Sequence, residues 1–233
     1  MQTEAYDRVA VLGDIHGASH LLKALLERLD DRHVISAGDV NDRGPDTAGV
    51  VEQLVQRGAT GVCGNHEQWL RDWLSGQPFD RFALSRAMGG RATLESYGIS
   101  PSSRLGDDER SKVPAHHREW LLQRGILMDL KVSGQPYWVV HAGVPKHVNV
   151  RGLDPASVLP RLEQVSPQDL LWPKTKPEQM PPLDRPIIMG HVPQRQPWDG
   201  GHVLAIDTGA ATFRQGGRLT ALLLPEREFL SVG

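Results

Sequence analysis

Seven polar residues, Asp14, His16, Asp39, Asn65, His66, His141 and His191, stand just after short apolar runs in this chain. Carboxylates, imidazoles and an amide oxygen in such places need polar partners, because each is costly to bury alone. Mixed oxygen and nitrogen donors of this kind suit first-row divalent metals: manganese, iron, nickel, cobalt or zinc. Asp14, His16, Asp39, Asn65, His141 and His191 together exceed what one tetrahedral ion requires. Two ions sharing a carboxylate is the natural reading.

Each residue also has a plainer explanation. Asp14 and His16 alone could cap a following helix. Asp39 with Asp42, Arg43 and Gly44 could form a salt-bridged loop. His141 and His191 could each be a buried histidine satisfied by a carbonyl. The joint pattern shifts the balance, since surface turns have little reason to place a metal-competent residue after so many apolar strands. Glu67, next to Asn65-His66, reads as a first-turn carboxylate favoured by the helix dipole, without catalytic duty. Cys63 reads as a small buried apolar residue.

The elements that must carry these residues are legible as an alternation. Apolar runs at Arg8–Leu12, His33–Ala37, Ala59–Cys63, Tyr137–Val140, Ile187–Met189 and Val203–Ile206 fit strands covered on both faces. Between the early runs lie helical stripes. One is Leu21, Leu22, Leu25, Leu26 and Leu29, with Ser19 available as a cap. A second is Ala48, Val51, Leu54 and Val55, closed by Gly58. A third begins with Trp69, Leu70, Trp73 and Leu74. Strand–helix alternation predicts an α/β layered protein, parallel at its start. Residues 1–233 read as one domain. A helical insertion at about 77–135 covers one edge of the site, with helical pieces near Arg81–Ala87, Ala92–Tyr97 and Ala115–Arg124. The Pro- and Lys-rich stretch from Trp172 to Arg185 reads as an extended loop.

Composition removes several classes. A formal net charge of −2 gives no electrostatic case for nucleic acid or an anionic membrane as a main partner. A single cysteine excludes an internal disulfide and a cysteine-rich zinc site. The N-terminal stretch lacks the pattern of a signal peptide, and no apolar segment reaches the length of a membrane span. The expectation is a cytoplasmic protein.

The blocks Gly13-Asp14-Ile15-His16-Gly17, Gly38-Asp39-Val40-Asn41-Asp42-Arg43-Gly44 and Gly64-Asn65-His66-Glu67 resemble the three signatures of the phosphoprotein phosphatase family, among the calcineurin-like metallophosphoesterases. His141-Ala142-Gly143, Gly190-His191 and Ile206-Asp207-Thr208-Gly209 resemble its later blocks. The resemblance implies a four-layer α/β/β/α sandwich with a binuclear metal centre. It implies that Asp14, His16 and Asp39 hold one ion, and that Asp39 bridges to a second completed by Asn65, His141 and His191. His66 would be the proton donor to the leaving group, oriented by Asp42, and Arg43 would hold a phosphate oxygen. Two cations about 3.5–4 Å apart clamp the attacking and leaving oxygens and bring a water pKa down towards about 7. In the chemistry the resemblance implies, a metal-bridging hydroxide would attack phosphorus in line, while an imidazole of fixed tautomer would protonate the leaving alkoxide.

The chain departs from the family where many members carry an arginine after the tryptophan. Leu171-Trp172-Pro173-Lys174-Thr175-Lys176 offers only Lys174 or Lys176 as a substitute, without the bidentate fork. Trp172 reads as a packing residue. Asn41 stands where the family is often apolar, and His116 and His117, in the insertion, read as exposed. The resemblance implies a hydrolase with two divalent ions, manganese foremost, acting on phosphomonoesters. A bacterial-type protein phosphatase for phosphoserine or phosphothreonine comes first, supported by Met88–Gly98. A symmetrical diadenosine tetraphosphatase-like nucleotide hydrolase is the alternative, and a non-catalytic metal-binding scaffold a remote one.

Overall fold

In the computed structural model the described residues are 3–145, 161, 162 and 164–233. Two sheets stack face to face. The first runs in the order β10 (Asp207–Thr208), β11 (Arg218–Leu224), β2 (Val9–Leu12), β3 (His33–Ser36), β4 (Thr60–Gly61), with β12 (Glu228–Val232) also paired to β11. Strands β2, β3 and β4 are mutually parallel, and β11 runs antiparallel to β2. The second sheet has the order β1 (Glu4–Tyr6), β5 (Leu127–Val132), β6 (Gln135–Val140), β7 (Ile187–Met189), β9 (Val203–Ala205), β8 (Trp198–Asp199). Its strands β6, β7 and β9 are parallel.

Alternation along the strands builds the layers. Val9 and Val11 of β2 face Val139 of β6 and Ile188 of β7 in the core between the sheets. Ala10 and Leu12 point the other way, into a core shared with Leu22, Leu54 and Leu70. Those leucines belong to α1 (Ser19–Leu26), α2 (Thr47–Gln56) and α3 (Glu67–Leu74). Trp138 and Val140 of β6 face outward onto Leu170 of α7 (Pro167–Leu171). With both faces covered, a strand reads as a continuous apolar run, which is why the period of two is hidden in these segments. The layer order is the expected α/β/β/α.

The expected insertion contributes a 3-10 turn Arg81–Leu84, α4 (Gly90–Ser96), α5 (Asp107–Arg110) and α6 (Ala115–Gln123). Leu94, Val113 and Leu121 join the helix-side core of the first sheet. The helical span ends at α6, and residues 127–132, expected within it, form strand β5. Asp129 and Lys131 interrupt the apolar pattern there, and Arg185 donates to Asp129 at 2.6 Å. Ser19 is the first residue of α1 rather than its cap, and makes no capping hydrogen bond. Asp46 caps α2 by accepting from Gly49 N. No helix among the described residues is long and apolar enough to cross a membrane.

Candidate active site

Strand ends deliver the site. Asp14 and His16 follow β2, Asp39 follows β3, Asn65 and His66 follow β4, His141 follows β6 and His191 follows β7. The first sheet supplies five of these and the second the other two, so the cluster lies where the carboxyl ends of both sheets converge. Several of the backbones are strained into place. His16, Asp39, Asp42, Arg43 and His191 have positive φ, between 47° and 68°, although none is a glycine. Such conformations cost of order 1–3 kcal/mol each and persist where the surroundings over-determine them. A Cβ on Gly64 would lie 2.0 Å from Asp39 Oδ1, so only glycine lets that carboxylate sit against the Asn65 turn.

Asp39 stands between two groups of donors. Its Oδ2 is 3.5 Å from His16 Nε2, and its Oδ1 is 3.4 Å from His141 Nε2. Asp14 Oδ2 lies 4.0 Å from His16 Nε2. On the other side Asn65 Oδ1 is 3.0 Å from both His141 Nε2 and His191 Nδ1, and those two nitrogens are 3.2 Å apart. Backbone carbonyls set the tautomers. His16 Nδ1 donates to Asn41 O and His141 Nδ1 to Ala37 O, while His191 Nε2 faces Trp172 O at 3.3 Å. The opposite ring nitrogens are thereby left as lone pairs. Asn65 Oδ1, His141 Nε2 and His191 Nδ1 converge at 3.0–3.2 Å, a crowding of acceptors relieved by a proton on His141 or by a cation among them. The donor set therefore fits a divalent ion on each side of Asp39.

The titration behaviour reflects the same crowding. Burial pushes His16 down to about 3. Burial and the neighbouring His141 push His191 down to about 4. Burial also opposes a charge on His141, but Asp39 and Asp14 overcome it and raise that imidazole to about 10. For Asp39, burial is outweighed by His141 and His66, which hold its carboxyl well below the usual range. Asp14 is raised by burial and by the adjacent Asp207. Without a metal, the second group of donors is thus held together by a proton on His141 paired with Asp39.

A second constellation lies over the first. His66 Nδ1 donates to Asp42 Oδ2 at 2.8 Å. Asp42 is fully buried and also accepts from Trp69 Nε1 at 3.0 Å, Thr93 Oγ1 at 2.7 Å and Asn41 Nδ2 at 2.9 Å. Burial raises its pKa despite these bonds. Arg43 places one guanidinium nitrogen 2.9 Å from His16 Nε2 and the other 2.9 Å from His66 Nε2. His66 Nε2 lies 4.0 Å from Asp39 Oδ2, close enough for His66 to group with His16 and Asp39 as donors.

Some residues differ from expectation. Glu67 is wholly buried, and its carboxylate accepts from the backbone N–H of Asp39, Val40 and Gly64 at 2.6–2.9 Å. It ties the Asp39 turn to the Asn65 turn, beyond any dipole role. Asn41, unexplained from sequence, donates to Asp42 and to His66 O. Trp172 is 37% exposed and lines a cavity of about 310 Å³ over the site with Arg43, His66, Lys174 and His191. Lys174 therefore faces the site, whereas Lys176 is exposed and outside that lining. His117 is buried, contrary to expectation, because its Nε2 meets Glu52 at 2.7 Å. Asp207, buried and pushed up to about 6 by its burial, sits behind Asp14.

The profile of the calcineurin-like phosphoesterases matches residues 7–223. The chain belongs to this family. As a member it is a metal-dependent phosphoric ester hydrolase. It is 30% identical over 235 residues to Serine/threonine-protein phosphatase 1 of Salmonella typhimurium, covering 94% of this chain and 93% of the relative. It is 26% identical to the asymmetrical bis(5'-nucleosyl)-tetraphosphatase PrpE of Oceanobacillus iheyensis, covering 97% of this chain and 92% of that one. Among solved structures, a provisionally assigned diadenosine tetraphosphatase superposes with TM-score 0.63 at 19% identity, over 99% of this chain and 98% of that one. The cold-active protein-tyrosine phosphatase of a psychrophilic Shewanella gives TM-score 0.56 at 18% identity, over 100% and 83%. At these identities the structures speak to the fold alone.

Proposed function

We propose that this phosphoesterase works through two divalent ions, manganese foremost. Asp14, His16 and Asp39 hold one, and Asp39, Asn65, His141 and His191 hold the other. The observation that carries this reading is Asp39, whose two carboxylate oxygens face separate donor groups at 3.5 and 3.4 Å. When bound, the ions supply Lewis-acid charge and a water of lowered pKa. Arg43 turns from the two imidazoles to a phosphate oxygen and balances charge developing there. His66 carries a proton on Nε2 and passes it to the leaving oxygen. Asp42 fixes the tautomer through Nδ1 and stabilises the imidazolium. Lys174 adds a second positive charge at the mouth as a point charge, not a fork.

Two substrate readings remain in play. A phosphoserine or phosphothreonine protein is supported by the Salmonella relative. A dinucleoside polyphosphate is supported by the PrpE relatives and by the exposed rings of Phe82 and Trp172 beside the centre, and is the reading preferred here. The PrpE relatives carry the asymmetrical activity in their name, which favours asymmetrical over symmetrical cleavage within this reading. A cytoplasmic location accords with either substrate. Kinetics on a phosphoserine peptide and on diadenosine tetraphosphate, with metal content measured on the same sample, decide between them. No turnover of p-nitrophenyl phosphate by folded protein loaded with manganese, cobalt or nickel would refute hydrolysis itself and leave the non-catalytic scaffold.

A further inference from the structure

Two large apolar side chains are exposed among the described residues, Phe82 at 56% and Trp172 at 37%. Both line the cavity over the metal centre, beside Arg43, His66 and Lys174. Both also line an adjoining cavity of about 230 Å³ with Gln68, Asp72, Asp80 and Gln168. The two cavities meet at these rings, with Asn65 and Met88 shared between them. Along this path the chemistry changes from cationic, through aromatic, to carboxylate and amide.

Packing does not explain the exposure. Phe79 already anchors the segment, edge-on to Trp69 at 5.4 Å and to Trp73 at 5.9 Å between centroids. Phe82 has no such seat, yet its turn is defined, since Asp80 Oδ1 accepts from Phe82 N at 2.9 Å. The indole of Trp172 is oriented by its Nε1, which donates to Gln68 Oε1 at 2.6 Å. The backbone carbonyl of Trp172 faces His191 Nε2, linking this wall to the metal-site residues. Exposed rings held at a polar site offer flat surfaces for stacking.

We propose that Phe82 and Trp172 form a stacking subsite for the base of a nucleotide substrate, with Asp72 and Asp80 accepting from the base's exocyclic amine. The inference rests on the nucleotide reading above. A nucleotide matches the sequence of chemistries along the path: phosphates at Arg43 and Lys174, a planar heterocycle at the rings, donors toward the carboxylates. A phosphoserine side chain offers no planar group to the rings.

The test compares kcat/KM for diadenosine tetraphosphate with that for a phosphoserine peptide, in the wild type, Phe82→Ala and Phe82→Tyr, each with its metals bound. Loss of one base–aromatic stack predicts that the dinucleotide-to-peptide ratio falls about 5- to 150-fold in Phe82→Ala, chiefly through KM. Phe82→Tyr, which keeps the ring, restores it. An equal fall on both substrates, or no fall on either, overturns the subsite. A metal-loaded wild type that cleaves the peptide but not the dinucleotide removes the nucleotide reading and this inference together. Dinucleotide turnover indifferent to the ring overturns the subsite alone.

Discussion

Glu67→Gln isolates the group that joins the two signature turns. In the wild type, Oε2 accepts from Asp39 N at 2.9 Å and Gly64 N at 2.6 Å, and Oε1 accepts from Val40 N at 2.6 Å. The side chain is wholly buried, so water cannot replace a lost acceptor. Glutamine keeps one oxygen. Whichever way the amide turns, at least one buried N–H then faces an NH₂ group, at a cost of about 1–3 kcal/mol. The hydrogen bonds that survive lose charge assistance, which roughly halves their strength. The sum is about 3 kcal/mol, within the stability of a domain this size but well above the noise. It lowers Tm by about 6–12 °C. Because Asp39 and Asn65 sit on the loosened turns, metal content falls and kcat drops about 100-fold, as for a misplacement of order 1 Å. Thermal melts, metal analysis and p-nitrophenyl phosphate kinetics read the three effects. A Gln variant with wild-type Tm, full metal content and unchanged kcat would show that Glu67 positions nothing.

Three further outcomes follow from the roles assigned. His66→Asn keeps both ions and loses about 100-fold or more in rate, most for poor leaving groups; loss of an ion in its metal analysis makes His66 a ligand instead. Asp39→Asn weakens both ions together, and titration showing loss of only one refutes the shared carboxylate. In the metal-free protein the site histidines contribute most to stability near pH 6.5, while Asp14 and Asp207, raised by burial, oppose them on the acid side. His16 and His191, lowered to about 3 and about 4, stay neutral in the fold, so stability falls as pH drops below about 6.5 and the unfolded chain takes up their protons. His141, raised to about 10, keeps a proton that the unfolded chain releases, so stability also falls as pH rises from about 6.5 towards about 10. Melts after chelation check this, and a flat alkaline limb contradicts the His141–Asp39 pairing.

That Asp14, His16, Asp39, Asn65, His66, His141 and His191 would converge was legible because each follows an apolar strand whose end faces the same way. What escaped the sequence depends on tertiary contact. Glu67 opens a helix, where a carboxylate is unremarkable; only burial between two turns reveals its work. Trp172 looked like packing because exposure is not written in a residue's type. Strand β5 was hidden by Asp129 and Lys131, whose polarity breaks the run, although Asp129 has its partner in Arg185. His117 looked exposed because its acceptor, Glu52, lies on another helix far along the chain.

The helical segment between β4 and β5 braces the loop after β3. Thr93 of α4 accepts from Asp42 N at 2.8 Å and donates to Asp42 Oδ1 at 2.7 Å. Gly89, at the start of the same helix, accepts from Arg43 N at 3.2 Å, and a Cβ there would lie 2.7 Å from that nitrogen. Asp42 and Arg43 have φ of 68° and 66°, conformations that need outside support, and one helix start supplies it to both. Asp42 and Arg43, on the loop after β3, are thus braced by α4, while Asp14, His16, Asp39, Asn65, His141 and His191 follow the strand ends. Arg43 joins the two groups by holding the free nitrogens of His16 and His66. Under the proposed roles, those nitrogens are the ones that serve an ion and the transferred proton. Under the roles proposed for Arg43 and His66, the guanidinium reaches a phosphate only by giving both nitrogens up, so loading the site and freeing its acid would be one rearrangement of one side chain.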